Sequence, residues 1–188
     1  MKKILVAAAA LGIVSDGALA GWRPLSKSET TIENIGTWTG LLITFSGLAY
    51  STMIQDWQGD LQWGLSVGST VATTEILKYV VREDRPNQAE DAPGFTFPSG
   101  HASFAFAGAG YWERRYGWYV GAPMYAAATF VGYSRVHANR HHWWDVVAGA
   151  GIGIGFNYLF TTRYMPSGIN ASVSPTDGGA MLRFNTRF

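Results

Sequence analysis

Ser134–Asp145 reads SRVHANRHHWWD, and its spacing decides how the rest of the chain is read. Arg135 lies six positions before His141, and His141 lies four before Asp145. Residues four apart share a helical face, so a helix here brings the Asp145 carboxylate to one nitrogen of the His141 ring. A carboxylate held there fixes the tautomer and leaves the other nitrogen as a nucleophile or base. Arg135 offers a fork of donors to a phosphate oxygen. The stretch also carries a rival reading. His137, His141 and Asp145 recur at every fourth position, a spacing that can bind zinc or iron. Arg135 and Arg140 in the same stretch argue against a bound cation. His142, Trp143 and Trp144 read as packing or interfacial residues, and His137 as structural.

Two other polar clusters lie upstream. Lys78–Pro86 reads KYVVREDRP. Lys78 and Arg85 are separated by two helical turns, with Arg82 between them on the same face. A phosphate group carries about −1.5 to −2 charges at neutral pH. Lys78, Arg85 and Arg135 together suit that charge and its redistribution during phosphoryl transfer. The plain alternative is a solvated helix end whose cations complement the dipole. Pro98–His101 reads PSGH. As an anion nest, Ser99 supplies a hydroxyl, Gly100 allows close backbone approach, and free N–H groups of a helix start point at the anion. His101 then stands beside the ester oxygen as a proton donor. The alternative is an ordinary capped helix start.

Composition narrows the field. The chain has 188 residues, enough for one domain around one core, and a formal net charge of +1. It contains no basic run of the kind that grips nucleic acid, so that partner is excluded. Charged residues make up 14%, against about 25% in ordinary soluble domains, so long apolar faces or membrane contact are implied. There is no cysteine, hence no disulfide and no thiolate metal site. Lys2 and Lys3 precede the apolar run Ile4–Val14, and Ala18-Leu19-Ala20 follows. That is the layout of a secretory signal over residues 1–20, cleaved after Ala20, with an uncleaved first helix as the alternative. The apolar run is about half the ~20 residues a spanning helix needs.

The remaining pattern is helical. Helices are expected over Ile35–Ile54, Leu61–Arg82 (ended by Pro86), Pro98–Gly117, Trp118–Ser134 with an interruption at Pro123, and His141–Thr162. Glycine alternates through Gly149, Gly151, Gly153 and Gly155, but the flanking Ala, Val and Ile suit closely packed helices better than a strand. Gln55–Asp60 and Pro93-Gly94 read as turns. The fold class is therefore all-α: an antiparallel bundle of five to six core helices with the active site at one end. Residues 21–162 form the helical domain, and 163–188 a short irregular or β-like tail. In a membrane, this topology puts the three polar clusters on the outer side and Arg114 and Arg115 inside. A soluble bundle gathers the same clusters at one end.

Taken together, Lys78-x6-Arg85-Pro86, Pro98-Ser99-Gly100-His101 and Ser134-Arg135-x5-His141-x3-Asp145 resemble the three-part signature of the type 2 phosphatidic acid phosphatase and vanadium haloperoxidase superfamily, with every motif position present in order. The resemblance implies that Lys78, Arg85, Ser99, Gly100 and Arg135 hold the phosphate. It implies that His141 attacks phosphorus to give a phosphohistidine, and that Asp145 orients it. His101 would protonate the leaving oxygen and then activate water. No metal or cofactor is implied. The expected function is a phosphatase acting on a phosphomonoester or a lipid (pyro)phosphate. The alternatives are a vanadate-dependent haloperoxidase, which would need vanadate, and a non-catalytic envelope protein of the same fold. The brief Asn87–Phe97 segment suggests a small lid and an open site. The expected location is the cell envelope with the site on the periplasmic side. Charge-free runs at 35–54 and 116–134 favour membrane association and a lipid substrate. A mean hydropathy close to zero favours a soluble or loosely attached periplasmic enzyme.

Overall fold

In the computed structural model of the protein, residues 26–83, 86, 95–165, 170–176 and 179–185 are described. The expected signal segment, Arg85 and the Pro93-Gly94 turn lie outside them. Among the described residues five helices run in order: α1 (Lys27–Met53), α2 (Trp57–Val81), α3 (Gly100–Tyr116), α4 (Trp118–His137) and α5 (Trp143–Phe160). A hairpin follows, β1 (Asn170–Thr176) paired antiparallel with β2 (Gly179–Asn185), so the tail is β-like as expected.

The helix ends follow local chemistry. Helix α1 starts eight residues before the expected Ile35, because Ser26 and Glu29 form a capping box: Glu29 N–H donates to Ser26 Oγ at 3.2 Å and Ser26 N–H to Glu29 Oε2 at 2.7 Å. The expected Gln55–Asp60 turn is shorter, since Asp56 caps α2 by accepting from Gly59 N–H at 3.0 Å. Helix α2 stops at Val81, well before Pro86, with Arg82 in the left-handed conformation at φ 53°. Gly117, at φ 103°, separates α3 from α4. Pro123 does not interrupt α4. It sits near the helix start, where the missing N–H leaves only the Tyr119 carbonyl without its intrahelical donor.

Helix α3 is central and packs against the other four. Small residues make this possible. A Cβ at Gly153 would lie 2.4 Å from the Ser103 carbonyl oxygen, and one at Gly149 would lie 2.6 Å from that of Ser99, so α5 rests directly on the α3 backbone. A Cβ at Gly108 would meet the Thr44 Cα at 2.5 Å, which sets the approach of α1. The core between the helices is built from alanine and aliphatic residues with a few rings, among them Ile43, Ala105, Ala109, Trp112, Ala128 and Val131. Buried hydroxyls and amides line the same space and are satisfied across it. Thr44 Oγ1 donates to the Phe104 carbonyl at 2.9 Å, Thr74 Oγ1 to Ser103 Oγ at 3.0 Å, and Asn157 Nδ2 to the Ala107 carbonyl at 2.8 Å.

The end opposite the polar motifs is locked by charge. Arg115 Nε donates to Asp56 Oδ2 at 2.7 Å, its Nη2 bonds Asp56 Oδ1, and its Nη1 donates to the Thr162 carbonyl at 3.0 Å. Arg115, expected on the inner side in a membrane topology, is buried as the partner of Asp56. The outward faces are apolar, with Trp38, Leu42, Trp57, Leu65, Ile76 and Trp118 all exposed. No helix among the described residues is long and apolar enough to cross a membrane. The charge-free runs do fall on α1 and α4, but their inner faces carry small and polar residues.

The two glycine faces of α5 predict opposite responses to alanine. Gly153→Ala should lower stability by about 1–3 kcal/mol through overpacking. Gly155→Ala, where a Cβ meets nothing within 4 Å, should raise it by up to about 1 kcal/mol. Thermal unfolding of the two variants checks this.

Candidate active site

The polar end is assembled from the last turn of α2, the first turn of α3, the end of α4 and the start of α5. Lys78 is buried on α2. Its Nζ donates to Glu75 Oε1 at 2.9 Å, and a Cβ at Gly100 would lie 3.2 Å from it. The ammonium therefore lies against the first residue of α3, joining the first motif to the second. Beyond α2, the Glu83 carbonyl accepts from Thr96 N–H at 2.8 Å, which ties the residue just past α2 to the chain just ahead of α3. Because α2 ends at Val81, Arg82 does not continue the helical face that carries Lys78, and Arg85 lies outside the described residues. Arg82 is an exposed cap whose Nε donates to the Tyr79 carbonyl at 3.0 Å.

Ser99 occupies the cap position of α3 but makes no side-chain cap bond. It is fully buried, and its Oγ has no hydrogen-bond partner among the described residues. Its N–H donates to the Asp145 carbonyl at 3.0 Å, so the PSGH turn is tied to the first turn of α5. His101 lies half-buried in the first turn of α3.

The His141–Asp145 pair is built differently from the expected single helix. His141 lies in the turn between α4 and α5, ahead of the cap residue His142. His137, at the end of α4, stacks on Tyr133 at 5.5 Å. The helix break removes the shared face on which the His137–His141–Asp145 metal reading depended. Even so, the ring of His141 is buried and faces Asp145. Nδ1 lies 3.5 Å from Asp145 Oδ2 and 3.0 Å from Thr96 Oγ1. Thr96 Oγ1 lies 2.6 Å from the same carboxylate oxygen, which also accepts from His142 N–H at 2.8 Å. Burial pushes the Asp145 carboxyl up, but the contacts from His141, Thr96 and the His142 amide outweigh it and hold the group below its ordinary value.

Glu83, His142 and Asp145 are the three ligand-type groups that come within 4.8 Å of one another among the described residues. The Asp145 oxygen nearest His142 already accepts two hydrogen bonds, which disfavours a metal there. Glu83 is engaged too, accepting from Trp144 Nε1 at 2.9 Å.

Arg135 is buried near the end of α4, where its guanidinium meets α1. Nε donates to Ser134 Oγ at 3.1 Å, Nη2 donates to Thr37 Oγ1 at 3.0 Å and to the Glu33 carbonyl, and Nη1 lies 3.5 Å from Glu33 Oε1. Glu33 also takes Arg140, Nε at 2.8 Å and Nη2 at 3.2 Å. Burial lowers the pKa of Arg135 to about 10, with Glu33 opposing the shift and Arg140 adding to it, and the group stays charged at neutral pH. Glu33 falls ahead of the first helix expected from sequence, Ile35–Ile54, yet it lies on α1. The missed signal was the pair Arg135 and Arg140, which need an acidic partner once buried. Thr96 was likewise read as loop.

A helical bundle with a buried imidazole–carboxylate pair, a lysine against a PSGH turn and a buried serine hydroxyl without a partner among the described residues suits a phosphate-handling enzyme. The family model of the PAP2 superfamily matches residues 61–168. A lipid A 4'-phosphatase of Helicobacter pylori is 33% identical over 155 residues, 76% of each chain. A lipid A 1-phosphatase of Porphyromonas gingivalis is 32% identical over 67% of this chain and 29% of its own. Among solved structures, Aquifex aeolicus LpxE superposes with a TM-score of 0.60 at 22% identity, over 72% of this chain and 86% of that one. The chain belongs to the PAP2 superfamily and is a phosphate-hydrolysing enzyme.

Two predictions follow from the buried charges. The pKa of Asp56, raised by burial but lowered further by Arg115, the Gly59 amide and Tyr116, lies below its ordinary 3.8, as does that of Asp145. A carboxyl depressed on folding stabilises fully above its unfolded pKa and loses that contribution as pH falls through the folded value. The melting temperature should therefore be level down to about pH 5 and fall steeply below about pH 4, with a shallower acid limb for Asp56→Asn. Separately, Glu33→Ala strands Arg135 and Arg140, and should cost about 3 kcal/mol in thermal unfolding.

Proposed function

We propose that this phosphatase removes a phosphate from a lipid, by way of a phosphohistidine, on the periplasmic side of the cell envelope. The observation that carries the reading is the junction of α3 and α5. Ser99, buried with its hydroxyl unpartnered among the described residues, is bonded through its backbone to Asp145, the residue that faces His141. Lys78, Ser99 and the α3 N-terminal amides at Gly100 cradle the phosphoryl oxygens, and Arg135, whose guanidinium is held by Glu33 and Thr37 of α1, joins them by its motif position. Arg85, which lies outside the described residues, belongs to the same cradle by its motif position.

In the first step Nε2 of His141 attacks phosphorus, a P–N bond forms and the P–O bond to the lipid breaks. His101 gives its proton to the departing oxygen. In the second step His101 takes a proton from water, and the resulting hydroxide displaces His141 to release inorganic phosphate. Fixed cations and amides carry the developing charge, so no metal enters either step.

Two features support a lipid. The rim of the polar end is apolar and aromatic: Tyr79, Val80, Tyr133 and Trp143 are each at least 56% exposed. Such a rim suits an amphiphile whose head enters while its chains stay outside. The named relatives act on lipid A, and a further one, of Schizosaccharomyces pombe, is a probable diacylglycerol pyrophosphate phosphatase, 32% identical over 38% of this chain. The same apolar rim is what would hold the enzyme to the membrane surface, with residues 1–20 directing export.

Phosphate release from lipid A, phosphatidic acid, an isoprenyl pyrophosphate and p-nitrophenyl phosphate tests the reading. A phosphorylated lipid should be preferred over the soluble ester. His141→Ala should lose at least about a thousandfold in kcat, His101→Ala about a hundredfold or more, and vanadate should compete with substrate. Undiminished turnover by His141→Ala would overturn the proposal.

A further inference from the structure

The hydroxyl of Thr96 stands between the two residues expected to pair directly. The Asp145 Oδ2 to His141 Nδ1 separation, 3.5 Å, is at the outer limit for a hydrogen bond, whereas Thr96 Oγ1 is 2.6 Å from the carboxylate and 3.0 Å from the ring nitrogen. An ionised carboxylate only accepts. The proton on the short Thr96–Asp145 contact is therefore the threonine's own, and 2.6 Å is the length of a charge-assisted O–H···O⁻ bond. With its proton committed, Thr96 Oγ1 turns a lone pair to His141, so Nδ1 must carry the hydrogen and the ring's lone pair lies on Nε2.

We propose that Thr96 is a positioning residue, relaying the Asp145 carboxylate to His141 through its hydroxyl and fixing the Nδ1–H tautomer. This rests on the reading of His141 as the reacting imidazole. The placement is built, not incidental. Thr96 is fully buried, and its N–H is held by the Glu83 carbonyl at 2.8 Å. The carboxylate oxygen it meets is fixed from the other side by the His142 amide at 2.8 Å. Glu83 and His142, titratable groups beside this relay, approach each other at 3.5 Å next to Asp145. An alcohol between acid and imidazole tolerates serine and rejects an isosteric methyl.

The test compares Thr96→Ser, Thr96→Val and Thr96→Ala in the full chain. Turnover is measured on the preferred phospholipid, and the His141 tautomer by long-range proton–nitrogen NMR. Thr96→Ser should keep the Nδ1–H tautomer and turn over within about threefold of the wild type. Thr96→Val and Thr96→Ala should lose about a hundredfold in kcat with KM little changed, and their His141 signals should show mixed tautomers. Should the valine variant not fold, the serine–alanine pair makes the same comparison. Wild-type turnover or an unchanged tautomer without the hydroxyl would overturn the relay, as would a serine variant as impaired as alanine. The tautomer is read without any turnover. A wild type that releases no phosphate but keeps a hydroxyl-dependent tautomer would sink the lipid-phosphatase reading and leave the relay standing.

Discussion

A single buried carboxylate, Asp145, is the point from which the polar end of the bundle is hung. Taking a carboxylate out of water costs several kcal/mol unless its oxygens are bonded. Here one oxygen collects the Thr96 hydroxyl and the His142 amide and faces the His141 ring, while the residue's own carbonyl receives the Ser99 N–H. Those partners come from two separate stretches of chain, Thr96–Ser99 ahead of α3 and His141-His142 ahead of α5. The need to satisfy one anion thus fixes the segment before α3, the turn before α5 and the register between the two helices.

That register is attainable because the interior is narrow. Gly149 and Gly153 let α5 lie on the α3 backbone, and no larger residue would bring Ser99 N–H to the Asp145 carbonyl. Close packing also inverts the usual partition of side chains. Thr44, Ser66, Thr70, Thr74 and Asn157 are buried, while Trp38, Leu42, Trp57 and Leu159 are exposed. On α1 and α2 an apolar outer face is averaged with an inner one bearing hydroxyls, which lowers the mean hydropathy of a chain with so apolar an exterior. At the far end the Arg115–Asp56 pair ties α3 to the α1–α2 turn.

Much of this was legible in the residues. Ser99 before Gly100 marked the start of α3, Gly117 its end, and charge-free runs marked α1 and α4. The motif spacing gathered Lys78, Gly100, Ser99, Asp145 and His141 at one end. What was illegible depended on partners distant in sequence. Nothing local to Glu33 says that Arg135 and Arg140 will converge on it from more than a hundred residues away. Nothing in GFTFPSGH distinguishes a structural threonine from one that meets Asp145. The helical face drawn through His137, His141 and Asp145 failed for a local reason: Asn139, at φ 51°, breaks the helix, and the acid reaches the ring across a turn instead.

The Glu83–Thr96 clasp has a consequence for how such chains can vary. A backbone hydrogen bond of 2.8 Å joins the residue that leaves the α2 region to the residue that enters the α3 region. The chain just after α2 and the chain just before α3 are therefore held together at a fixed separation. Thr96, pinned by that bond, presents its hydroxyl to Asp145 from a fixed backbone position. The relay hydroxyl thus keeps its register with the carboxylate even where the length of chain joining the two helices varies.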